Sequence, residues 1–287
     1  MGFGETVLLG AVAGFTIFAG LPIARIGRFD DRLRVSLAMF SVGILAFLFM
    51  DVTTQALRIL EAALSSFKSH HSGFGRLMGL FVLLAVGFTL GTTGVSVGER
   101  ALRRRRRALP PIAGGAASAD FAPDELARHS ARTDAPGRRA LQTAMTIAGA
   151  IGLHNFAEGL AIGVSARAGA IGLATVLIVG FALHNATEGF GIIGPLGGMR
   201  PSWRWLGLAG LVGGGPTLLG ALVGYQVSSD ALELCFYALA GGALLYVIGE
   251  ILTGMRRYGY HTLGLYVAAL GFLAGVATDL FVTYGGG

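Results

Sequence analysis

Charge is scarce in this chain. Only 13% of its 287 residues are Asp, Glu, Lys or Arg, against about 25% in ordinary soluble domains. A chain that is 53% hydrophobic, with a mean hydropathy of +0.67, is expected to live in a bilayer. Cysteine is nearly absent: the single Cys235 excludes a disulfide framework and any multi-cysteine metal site. No H-E-x-x-H pair occurs, which removes the commonest zinc-hydrolase signature. The first apolar stretch has no basic lead and no clear cleavage motif, so it reads as a retained span and not a signal peptide. What the chain has in abundance is glycine, 47 residues spread through the apolar runs. In membrane helices glycine chiefly lets backbones approach one another.

A bilayer core takes roughly 20 apolar residues as helix. On that measure eight spans are expected, at 5–24, 35–57, 74–98, 141–165, 171–194, 204–226, 233–254 and 261–283. Asp51, Thr53, Thr54 and Gln55 make the end of the second span polar. The fold class expected is therefore an all-α integral membrane protein. The loops that follow spans 1, 3, 5 and 7, with their flanks, carry eighteen basic residues, and the even loops carry four. The positive-inside rule then puts the odd loops in the cytoplasm and both termini outside. Residues 101–139 contain Arg103 to Arg107, paired prolines and an Ala/Gly/Ser tract. They read as a flexible cytoplasmic linker between helices 1–3 (residues 1–100) and helices 4–8 (residues 140–287). The arginine run can bind anionic lipid or nucleic acid in principle; a topology anchor is the plainer reading, and no nucleic-acid partner is expected.

Against this apolar background Leu153-His154-Asn155-Phe156-Ala157-Glu158-Gly159 recurs as Leu183-His184-Asn185-Ala186-Thr187-Glu188-Gly189. Ionisable groups within a membrane span are functional-site candidates by default. Positions i and i+4 share a helix face, so His154 pairs with Glu158 and His184 with Glu188. His154 lies about 20 Å along its span from one surface, and His184 about 20 Å from the other. Both pairs are thus expected at one depth on antiparallel helices. Two imidazoles and two carboxylates suit Zn²⁺, with Fe²⁺, Mn²⁺, Co²⁺ or Cd²⁺ also possible. A divalent cation would neutralise two carboxylates that otherwise repel each other in low dielectric. Asn155 and Asn185 can ligate directly or orient the ligands. The alternative is an interhelical polar network that only packs helices; a doubled motif at matched depth argues against it.

Other polar residues carry weaker signals. Asp51 lies at the outer end of span 2, where it can capture metal at the mouth. Glu250 in span 7 is a candidate exit-side ligand, or a helix-end charge paired with Arg256 or Arg257. Asp279 reads as a helix-end charge, and His70, His71 and His129 as solvated histidines. Gly213-Gly214-Gly215-Pro216-Thr217 suggests a kinked helix packed against the site. Gly159 and Gly189 suggest either close packing or a helix irregularity beside it.

At these residues the chain resembles the ZIP (ZRT/IRT-like) family of divalent-metal transporters. The resemblance covers essentially the whole chain and rests on H-N-x-x-E-G in span 4 and H-x-x-x-E in span 5. It implies eight helices in a 3+5 order, outward termini and a long cytoplasmic loop between helices 3 and 4. It also implies a transport site of His154, Asn155, Glu158, His184, Asn185 and Glu188. Uptake toward the cytoplasm through the plasma membrane, by an elevator-like movement of a bundle containing helices 4 and 5, follows from it as well, as does possible homodimerisation. The family usually has proline where this chain has Ala157. Many members carry an acid before the proline of helix 6, and none stands in Gly214–Gly220 here. Members often have His-Glu on helix 7, where this chain has Gly249-Glu250, and a histidine cluster in the linker, which is missing here. One principal metal site is therefore expected, not a tightly bound pair.

The function expected is transmembrane transport of a divalent metal, Zn²⁺ first. The metal is the transported substrate, with no prosthetic group and no enzyme activity. A membrane-embedded zinc hydrolase is the alternative, in which the same ligands would activate water. It would need an open coordination position and a separate general base.

Overall fold

The computed structural model describes residues 2–26, 30–70, 73–107, 123–169, 171–196, 199–226 and 229–286. Every regular element among them is helical. In chain order these are α1 (Phe3–Phe15), α2 (Ile17–Gly20), α3 (Ile23–Ile26), α4 (Asp31–Lys68), α5 (Phe74–Arg107), α6 (Pro123–Arg167), α7 (Ile171–Ile193), α8 (Trp203–Gln226), α9 (Asp230–Met255) and α10 (His261–Gly286). Short 3₁₀ turns follow α7 and α9. Among the described residues seven segments are long and apolar enough to cross a membrane. The 23 residues of α7 span about 34 Å and make an eighth candidate. This is the build of a multi-pass membrane protein.

Three boundaries depart from expectation. The polar stretch at Asp51–Gln55 does not end a helix: α4 runs on to Lys68. The helix continues because its hydroxyls are satisfied on their own backbone. Thr53 Oγ1 donates to the Phe49 carbonyl at 2.7 Å, and Thr54 Oγ1 to the Met50 carbonyl at 2.9 Å. The first span, by contrast, is broken into α1, α2 and α3. Thr16 Oγ1 donates to the Ala13 carbonyl at 2.6 Å at the first break, and Pro22, which has no N–H to donate, marks the second. Finally, the stretch 101–139 expected as linker is helical at both flanks, since α5 reaches Arg107 and α6 begins at Pro123. Pro123 suits a helix start, where its missing N–H costs nothing. Residues 108–122 of that stretch, and with them its paired prolines and Ala/Gly/Ser tract, lie outside the described residues.

Packing sorts the long helices into two groups. α1, α6, α7 and α8 pack together, with α6 against α8 the most extensive contact. The other group is α4, α5, α9 and α10. This division interleaves along the chain, because α1 joins the later helices and does not stay with α4 and α5. The groups meet through α6 on α9 and α7 on α4 and α10. Within each group glycine brings backbones into contact. A Cβ on Gly159 would collide with the Thr217 carbonyl of α8, and one on Gly271 with the Phe40 carbonyl of α4. Across the junction the described glycines Gly191 and Gly194 meet side chains instead, those of Ser41 and Ala38.

Candidate metal site

The two motif copies sit on α6 and α7, and their six shared His, Asn and Glu side chains are buried. Helical spacing puts His154 and Glu158 one turn apart on α6, with His154 Nε2 2.9 Å from Glu158 Oε1. His184 reaches over from α7, placing its Nε2 2.6 Å from the same oxygen. Two imidazoles thus converge on one carboxylate oxygen. One ligand atom each from His154, Glu158 and His184 lies within 4.8 Å of the others, a spread that fits shared coordination of one ion. Phe181, one turn before His184, holds that imidazole edge-to-face, with centroids 5.4 Å apart.

The remaining motif residues form a supporting layer. Asn155 Nδ2 donates to Glu188 Oε2 at 3.2 Å and to the Gly213 carbonyl at 2.9 Å. Gly213 lies one turn before Pro216 inside α8. Proline has no N–H for the carbonyl four residues earlier, here Val212, next to Gly213. Asn185 Nδ2 donates to the Ala13 carbonyl at 3.0 Å, at the break between α1 and α2. Gly159 packs on α8 and Gly189 on Gly20, both as close helix contacts and neither as an irregularity.

Acceptors outnumber donors in this cluster. Asn155 Oδ1, Glu158 Oε2, Asn185 Oδ1 and Glu188 Oε1 are all buried without a hydrogen-bond donor among the described residues. Leaving one such group unpaired costs about 1–3 kcal/mol, more when it is charged. His154 Nδ1 is also without a partner there. Of these oxygens Glu158 Oε2 belongs to the three-residue cluster, where it could be satisfied by a cation. To ligate it, the nitrogens that now face Glu158 must present lone pairs, so a metal entering the cluster displaces protons.

A cavity of about 130 Å³ opens from the cluster, room for several waters. It lies at the junction of the two groups. His154, Glu158 and His184 line one wall; Asp51 and Gln55 of α4, Tyr237 of α9, and Thr278 and Asp279 of α10 line the other. Asp51 therefore shares a cavity with the cluster. Asp279, expected as an ordinary helix-end charge, lines the same cavity, and nothing in the sequence pattern links it to Asp51. Glu250 does not line it: it is half-buried on α9, 13 residues or about 20 Å along the helix from Tyr237. Glu188 is fully buried but stands outside the three-residue cluster, tied to it through Asn155. Sequence reasoning also missed the carbonyls of Ala13 and Gly213, since any residue type can supply a backbone acceptor. No family model matches the chain, and no curated protein matches it.

Proposed function

We propose that this protein is a ZIP-like transporter that carries a divalent metal, Zn²⁺ or a close relative, across the plasma membrane into the cytoplasm. The observation that carries this reading is the convergence of His154, Glu158 and His184 on one point, buried, beside a cavity at the seam of two helix groups. A mixed nitrogen and oxygen set of this kind suits zinc and its neighbours and disfavours the all-oxygen preferences of Ca²⁺ and Mg²⁺.

Placement at the seam favours transport over hydrolysis. One group, α1 with α6 to α8, carries the ligands, and the other supplies only the facing wall. Backbone-to-backbone glycine contacts hold each group together, and side chains make the nearest contacts across the junction at Gly191 and Gly194. Such a junction can slide while each group stays intact, which supports an elevator-like movement of the site-bearing group. The basic odd loops support outward termini and a cytoplasmic 101–139 segment. The absence of an acid in Gly214–Gly220 supports one principal ion per chain, and a homodimer completes the proposal.

The test is Zn²⁺ flux into liposomes holding the full chain, compared with His184→Ala and Glu158→Ala. Wild-type flux lost in both variants is the expected result. No flux in the wild type would sink the transport reading, and flux unchanged in both variants would sink the site. Titration should give one tight ion per chain, and two would refute the single site.

A further inference from the structure

On the wall facing the ligands the Asp279 carboxylate and the Tyr237 hydroxyl make no hydrogen bond to a described residue, and Tyr237 is the neutral one of the two. Thr278 Oγ1 donates to the Ala274 carbonyl at 2.8 Å. Gln55 turns its amide to Asp51. Asp279 is exposed at the outer part of the cavity. Tyr237 lines the cavity half-buried, and its hydroxyl makes no hydrogen bond to any described residue. Glu233, Asp51 and Glu158 are the carboxylates within electrostatic reach of that hydroxyl.

A phenol is suited to this position for a reason a carboxylate or a phenylalanine lacks: it both donates and accepts. Facing Glu158, whose Oε2 has no donor, it can donate through a water. Facing a cation's water, whose protons point outward, it can accept. An incoming divalent ion arrives hydrated and must trade waters for His154, Glu158 and His184. The waters it keeps longest face away from those ligands, toward the wall where Tyr237 stands.

We propose that Tyr237 is a specificity-determining residue of the transport path, its hydroxyl holding a metal-bound water opposite the His154–Glu158–His184 cluster. This rests on the transport reading above. Tyr237 ranks cations by how they carry that water. A small, tightly hydrated ion such as Zn²⁺ gains most from the contact, and a softer, less tightly hydrated ion such as Cd²⁺ gains less.

Two variants of the full chain separate this role from packing. Tyr237→Phe keeps the ring and removes the hydroxyl; Tyr237→Gln loses the ring and restores a donor and an acceptor. Zn²⁺ and Cd²⁺ affinities are titrated in detergent, and flux of each ion is measured in liposomes. Expected for Tyr237→Phe are a KM and a dissociation constant for Zn²⁺ raised about tenfold, the scale of losing an outer-layer partner of a metal site. Cd²⁺ should shift less, and Vmax should be retained, with Tyr237→Gln recovering part of the Zn²⁺ preference. A Tyr237→Phe protein with unchanged Zn²⁺ affinity and preference overturns the proposal, and so does Tyr237→Gln proving the more damaged of the two. Wild-type chain without flux brings down the transport reading itself, a result distinct from either.

Discussion

The two copies of L-H-N-x-x-E-G are identical at five of seven positions, yet they hold different places in the site. In the α6 copy Glu158 is the hub, with both imidazoles against its Oε1. In the α7 copy Glu188 is held, among the described residues, by Asn155 alone. His184 does not pair with its own i+4 glutamate; it crosses to Glu158. The asparagines diverge too, Asn155 bridging to Glu188 and Gly213, and Asn185 bonding the Ala13 carbonyl. A repeated motif therefore does not make a symmetric site. The surroundings differ: α6 faces the proline-bearing α8, α7 faces the broken α1–α2 segment, and each offers backbone acceptors in a different direction.

The largest expected effect separates the two glutamates. Glu158→Ala should weaken Zn²⁺ binding by more than about 100-fold and abolish flux, whereas Glu188→Ala should cost about tenfold, as for an outer-layer partner. Isothermal titration of both proteins decides this, and equal losses would make the site symmetric after all. Next comes Asn155→Ala, which strips Glu188 of its donor and should cost no more than the loss of Glu188 itself, about tenfold in affinity, read in the same titration. Acidification should have a smaller effect. Ligating imidazoles must be neutral and carboxylates ionised, so metal binding releases protons and affinity falls as pH drops through the usual histidine range near 6.5. Proton release on Zn²⁺ addition, measured as buffer-dependent binding heat, checks the sign; proton uptake would contradict it. The smallest effect belongs to Asn185→Ala. It should leave Zn²⁺ affinity unchanged and lower stability by ~1 kcal/mol, seen as a lower melting temperature in detergent. A tenfold loss of affinity there would promote Asn185 to a ligand.

Much of the architecture was legible because bilayer thickness imposes a length and an apolar composition on every span. Seven of the eight expected spans each correspond to one long helix, apart from their ends, and the first corresponds to the broken run α1–α3. Ends were misjudged where polarity was mistaken for termination: Thr53 and Thr54 satisfy themselves within α4, so nothing obliges the helix to stop. The break at Thr16 left no comparable mark, since an isolated threonine in an apolar run more often sits within a helix. The grouping of α1 with α6, α7 and α8 was not legible at all. Glycine signals close approach but does not name the partner, and only the folded backbone pairs Gly159 with Thr217.

By itself the sequence determined the helices long and apolar enough to cross a membrane, and the i,i+4 spacing that puts each histidine on one helix face with a glutamate. These follow from local periodicity and from distance along a helix, which are properties of a single segment. Tertiary structure alone decided that His184 serves Glu158, that Glu188 stands one layer back, and that Asp51, Tyr237 and Asp279 share one cavity. Those relations join residues far apart in the chain, and their geometry depends on how helices cross. The charge-poor background marked where the polar groups had to matter; the crossing of α6 and α7 fixed which of them meet.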